Sequence, residues 1–249
     1  MQDKPLHVSK NELSKIRRQL SETGALPDVY GGDGRHAKHI DTLIRRYPAL
    51  APSRLDIEAA SLAVTAMHLR GGKLLLCGNG GSAADCEHIS GELLKSFLIS
   101  RPPLPEDLKG LDPGVKSRLQ RGIAAVPLPS FSSLLTAFGN DVDPGLSFAQ
   151  LVYALGREGD AVMGISTSGN AENVVRALET ASSMGLFTIA LTGRGGGALG
   201  RIAGITIAVP ESETFKVQEL HLPVYHAICA QVEEWIFGTV TGTGEGEKE

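Results

Sequence analysis

The chain has 249 residues, 42% of them hydrophobic and 21% charged, which fits a globular core in one large or two small domains. A net charge of −4 with 5% aromatic residues argues against a nucleic-acid-binding surface or a base-stacking platform. No apolar run approaches the ~18 residues of a membrane span. The polar start, Met1-Gln2-Asp3-Lys4, has no signal-peptide core. Cys77, Cys86 and Cys229 lack metal-type spacing, so reduced thiols in a cytoplasmic protein are expected.

Residues 1–32 are polar and read as an extension, with a helix near Lys10–Ser21 and a flexible joint at Tyr30-Gly31-Gly32. Apolar spacing predicts helices over 34–48 and 53–70, the second starting at Pro52-Ser53. From Lys73 the pattern becomes strand–helix alternation. Strands are expected at 73–77, 123–128, 160–165, 186–191 and 204–209, and helices at 82–98, 131–139, 147–156, 170–184, 195–202 and 214–236. Short buried strands between amphipathic helices predict an α/β fold with a parallel sheet covered on both faces. Residues 100–122 interrupt the pattern as an insertion with a short charged helix near 113–120, and the Gly/Thr/Glu-rich tail, 238–249, is expected to be disordered.

Two glycine–serine loops stand out, Cys77-Gly78-Asn79-Gly80-Gly81-Ser82 and Ile165-Ser166-Thr167-Ser168-Gly169-Asn170. Each follows a buried strand and opens a helix. Such junctions offer free N–H groups and hydroxyls to an anion, and ligands of parallel sheets sit at the carboxyl ends of strands. Two loops of this kind point to a phosphorylated small molecule.

His88 and Glu92 are four apart on the first loop's helix, on one face. Gln218 and His226 are eight apart on the last helix, about 80° around its axis, so both can face one site. Pro223 lies between them and should bend the helix. His221 reads as a packing histidine. A carboxylate and an imidazole beside a phosphate pocket make a general acid/base pair, which Glu92 and His226 supply for moving a sugar carbonyl between C1 and C2 through an enediol. His88, Glu92, Gln218 and His226 also form an N/O set suited to zinc.

At these residues the chain resembles the sugar isomerase (SIS) domain family and, within it, the phosphoheptose isomerases. The resemblance runs from about Ile40 to Phe237 and rests on CGNGGSAAD, GND, GISTSGN and QELH with a following histidine. It implies a three-layer αβα sandwich around a five-stranded parallel sheet, with a SIS domain over 33–237. It also implies interconversion of sedoheptulose 7-phosphate and D-glycero-D-manno-heptose 7-phosphate. Asn79, Gly80 and Gly81 match the family's substrate loop and Ser82 its phosphate-contacting serine. Asn140 and Asp141 match its Asn-Asp substrate pair, and Ser166, Thr167 and Ser168 its phosphate loop. His88, Glu92, Gln218 and His226 match the zinc-binding and catalytic set, with Glu92 as base and His226 as its acid/base partner. A homotetramer with active sites at subunit interfaces is implied too. The apolar surface on 53–70 and 214–236, more than one sheet face should need, points the same way.

Three positions depart from the family pattern: Ala171 stands for a phosphate-binding serine, Ser96 (beside Lys95) for an arginine, and Phe215 for an aspartate. Some relatives are non-catalytic adaptors of the replication initiator, and a sugar-phosphate sensor is a third possibility. The adaptors lose the acid/base histidine, so Glu92 and His226 favour an enzyme.

Overall fold

The computed structural model describes His7, Asn11 and residues 37–238. The helix expected at Lys10–Ser21, the joint near Tyr30 and the tail beyond Gly238 fall, but for Asn11, outside the described residues. Helix α1 (Lys38–Arg46) leads through a 3-10 segment to α2 (Arg54–Leu69), then β1 (Leu74–Gly78), α3 (Gly81–Leu94) and a short α4 (Pro113–Lys116). There follow β2 (Ala125–Pro127), α5 (Ser132–Asp141), α6 (Ser147–Leu155), β3 (Ala161–Ser166) and α7 (Glu172–Ser183). The chain closes with β4 (Phe187–Thr192), α8 (Gly197–Ile202), β5 (Ile205–Ala208) and α9 (Thr214–Phe237).

The five strands form one sheet in the order β2-β1-β3-β4-β5, with every pairing parallel. Alternate side chains leave the sheet on opposite sides. Leu74, Leu76, Met163 and Ile165 pack with α1, α2, α3 and α9. Leu75, Cys77, Val162 and Ala190 pack with α6, α7 and α8. This is the expected αβα sandwich. The strand order reverses between β1 and β3, where a crevice opens at the carboxyl ends of parallel strands. Asp160 fixes the other end. It is buried and accepts hydrogen bonds from the Lys73 backbone (2.9 Å), Lys73 Nζ (2.6 Å) and the Arg157 backbone (2.8 Å), which locks the register of β1 and β3.

Two expectations change. Helix α3 stops at Leu94, not at residue 98. The carboxylate of Glu233, buried on α9, accepts the backbone N–H groups of Phe97 (2.9 Å), Leu98 (2.6 Å) and Ile99 (3.1 Å), which a helix would send back into its own turns. The apolar surface expected on 53–70 is also less open than its period suggests. Every residue from Asp56 to Met67 is buried: the apolar ones pack with the sheet, α1 and α9, and Asp56 meets His7.

The segment after α3 is tied down by Arg101, itself fully buried. Its Nε donates to Glu233 (2.7 Å) and its Nη1 to the Leu93 carbonyl (2.8 Å). The short helix expected near 113–120 is present as α4, capped by the Asp112 side chain on Val115 N–H at 3.0 Å.

Candidate active site

Both glycine–serine loops lie at the same sheet edge, because Gly78, ending β1, is in register with Ile165, next to the end of β3. In the first loop Gly80 has φ +55°, which a side chain would strain. A side chain at Gly81 would collide with the Gln218 amide, so α9 sits directly on the start of α3. Ser82, in the first turn of α3, is 3% exposed. No side chain caps α3, nor α7 behind the second loop, whose N-cap is Ala171. Their first-turn N–H groups therefore remain free of side-chain caps.

The second loop is held from behind. Gly193 N–H donates to the Thr167 carbonyl (3.0 Å), and Asn170 Oδ1 accepts from Ala198 N–H (2.9 Å). Ser166 is buried while Ser168 is exposed. Asn79 and Asn173 join the two loops: each amide donates to the other, at 2.8 and 2.9 Å. Asn140 and Asp141 close α5 on an exposed surface, and their hydrogen bond (2.8 Å) is to one another, not to either loop.

Helices α3 and α9 run side by side in the same direction. Gln218 meets Gly81, His226 meets His88 about two turns on, and Glu233 meets Phe97 just past the end of α3. His88 Nε2 is 3.3 Å from Glu92 Oε1 and 3.3 Å from His226 Nε2, and one ligand atom from each of the three lies within 4.8 Å of the others. Burial lowers the pKa of His226, helped by the neighbouring His88 and opposed by Glu92. Lys95 Nζ stands 3.3 Å from Glu92 Oε2, so a cation borders this carboxylate although Ser96 carries none. The Ser96 hydroxyl accepts Arg101 N–H at 3.1 Å. A cavity of about 380 Å³ opens beside His226, between α1, Phe97–Leu98 and α9.

Three residues join the site that the sequence did not single out. Asn173 holds Asn79. Tyr225, 1% exposed, sends its hydroxyl to Asp85 Oδ1 (3.2 Å) and to His88 Nδ1 (3.0 Å). The Asp85 signal was available, since a residue three before His88 shares its helix face. Burial raises the pKa of Asp85, opposed by the Tyr225 hydrogen bond. Burial and the Asp85 charge raise that of Tyr225. His221 is wholly buried, as expected of a packing histidine.

The SIS domain family model matches residues 133–232. The phosphoheptose isomerase of Desulfovibrio desulfuricans is 39% identical over 184 residues, 74% of this chain and 79% of that protein. The chain belongs to the phosphoheptose isomerase family. The family's enzyme from Nitratidesulfovibrio vulgaris Hildenborough is 42% identical over 171 residues, 69% of this chain and 73% of its own. Among solved structures, phosphoheptose isomerase GmhA from Neisseria gonorrhoeae is similar with a TM-score of 0.63 and 34% identity, covering 80% of this chain and 96% of that one. A phosphoheptose isomerase from Francisella tularensis has a TM-score of 0.63 at 28% identity, covering 89% and 98%.

Proposed function

We propose that the chain is an aldose–ketose isomerase of phosphorylated sugars, converting sedoheptulose 7-phosphate to D-glycero-D-manno-heptose 7-phosphate through an enediol. The observation that carries this reading is the convergence of Glu92, His226 and His88 in a chain of the phosphoheptose isomerase family. Ser82, Ser166, Thr167 and Ser168 would hold the phosphate, helped by the N–H groups opening α3 and α7. Asn79, Gly80, Gly81, Asn140, Asp141 and Gln218 would position the sugar. Glu92 takes the carbon-bound proton, and His226 moves protons on the sugar oxygens.

His88, Glu92 and His226 fit a zinc ion: two imidazoles and a carboxylate present atoms within 4.8 Å of one another, and zinc takes this ligand set. Gln218, whose amide lies against Gly81, would have to turn toward these three to be the fourth donor. Bound there, zinc would polarise the sugar's oxygens and ease proton loss from carbon. Its binding requires neutral imidazoles, and burial favours that form of His226.

The same reading includes a homotetramer with active sites at subunit interfaces. Leu98 and Leu222, 60% and 42% exposed, line the cavity beside His226 and suit a covering subunit. Light scattering would give several times the 26.2 kDa of one chain, and a monomeric mass would refute the assembly. A cytoplasmic location is in keeping with three unpaired, buried cysteines. No helix among the described residues is long and apolar enough to cross a membrane.

The deciding experiment is a screen of C5–C7 ketose and aldose phosphates for isomerisation in heavy water, with and without chelator. Deuterium entering C1 or C2 supports the enzyme. Binding without exchange or turnover would instead establish a sensor or an adaptor.

A further inference from the structure

We propose that Tyr225 is a positioning residue of the site, holding His88 as the tautomer whose Nε2 lone pair faces Glu92 and His226. The Tyr225 hydroxyl lies between Asp85 Oδ1 (3.2 Å) and His88 Nδ1 (3.0 Å). An ionised carboxylate only accepts hydrogen bonds. Asp85 therefore takes the Tyr225 proton, and the phenol oxygen is left to accept. The group facing that oxygen is His88 Nδ1, so the imidazole proton sits on Nδ1. His88 Nε2 is then unprotonated and accepts from His226 Nε2–H, 3.3 Å away; the Glu92 carboxylate, 3.3 Å from the same nitrogen, pulls toward the opposite tautomer, and the Asp85–Tyr225 pair outweighs it.

The surroundings give this hydroxyl no other use. The ring is buried among apolar neighbours and packs edge-on against His88, with centroids 5.4 Å apart. Phenylalanine would fill the same space. The hydroxyl adds only the link from the first turns of α3 to the histidine lower on the same helix. A ring nitrogen fixed by a hydrogen bond on its opposite side is the usual way a protein orients a metal-binding imidazole. The metal arm of the inference rests on the zinc reading above. The tautomer arm does not.

The test uses full-length protein, freed of metal, with histidine-selective ¹⁵N labelling and His88→Gln to assign the signal. In wild type, His88 should give the Nδ1–H pattern. Tyr225→Phe should shift it to a mixture of tautomers and weaken Zn²⁺ binding by ~10- to 100-fold, measured by competition with a chromogenic chelator. Asp85→Asn tests the direction of the relay. Its amide can donate to the phenol oxygen, turning the Tyr225 proton toward Nδ1 and driving the imidazole proton to Nε2. Zinc affinity should then fall although Tyr225 is intact, and adding Tyr225→Phe should cost little more. A Tyr225→Phe protein that unfolds near the wild-type temperature, with the His88 Nδ1–H signal unchanged, would overturn the proposal. Wild type that binds no zinc would refute the metal reading, and the ¹⁵N spectra of wild type and Tyr225→Phe would still decide the role of Tyr225.

Discussion

Asn79 and Asn173 exchange two amide hydrogen bonds, 2.8 and 2.9 Å long, across the crevice where the strand order reverses. One amide belongs to the loop after β1, the other to the first turn of α7 behind the phosphate loop. Each amide therefore fixes which way the other points. Asn173→Ala leaves Asn79 free to rotate, and a substrate must then order it on binding. The two groups are exposed, so the net worth of the pair is about 1 kcal/mol. KM for a sugar phosphate should rise roughly fivefold, with the melting temperature almost unchanged. Equal KM values for the two proteins would show that Asn79 needs no such support.

Glu92 is 17% exposed and lies between His88 Nε2 and Lys95 Nζ, each 3.3 Å away. Glu92→Gln keeps the shape and removes the basicity. Turnover should fall by ~10²-fold or more, the usual range for an acid/base group. Circular dichroism should stay at wild-type values. The zinc content of each sample is measured alongside, so that loss of metal and loss of base are told apart. Near-wild-type turnover at equal metal content would remove Glu92 from the reaction.

The sheet was legible in the sequence because its strands are buried on both faces and so read as short apolar runs bounded by glycine. The loops were legible because small residues at a strand–helix junction have few other uses. What stayed hidden depends on partners far away in the chain. Helix α3 ends early because of Glu233, more than a hundred residues downstream. Nothing near Asn173 in the chain marks it, and only folding brings Asn79 to it. Tyr225 is marked only by the fold, which brings Asp85 to its hydroxyl. The helical period of 53–70 revealed apolar surface but not that its apolar residues pack with the chain's own sheet, α1 and α9.

Glu233 and Arg101 form an ion pair at 2.7 Å with both side chains wholly buried. The carboxylate also holds three backbone N–H groups, so it serves as a cap for the segment that follows α3. Glu233→Ala would strand a buried guanidinium and those N–H groups together, at a cost of about 3–5 kcal/mol. Glu233→Gln keeps an acceptor and should cost less. An isolated buried pair is often replaced by apolar residues without loss. Here Arg101→Met with Glu233→Leu should stay destabilised, because the N–H groups of Phe97, Leu98 and Ile99 still lack an acceptor. Urea unfolding of the three variants at one protein concentration checks the order, and a double variant as stable as wild type would refute the capping role.

His221 sits on α9 with no exposed surface; among the described residues neither ring nitrogen has a hydrogen bond of full geometry, although the Thr192 backbone acts on the ring. Burial drives its pKa from 6.5 down to about 4, against a smaller opposing pull from the Thr192 backbone. The unfolded imidazole therefore binds a proton that the folded one refuses. Stability from this group is fully present above 6.5 and is lost as the pH falls toward 4. The whole effect is roughly 3 kcal/mol at 1.36 kcal/mol per pKa unit. His221→Leu removes the titration and leaves no polar atom to satisfy. The variant should match or exceed wild type at neutral pH, and its advantage should grow steadily on acidification through that window. Melting temperatures at fixed protein concentration, compared at several pH values between 4 and 7, give the difference directly. Parallel pH profiles for the two proteins would mean that His221 gains a partner in solution and stays protonatable in the folded chain.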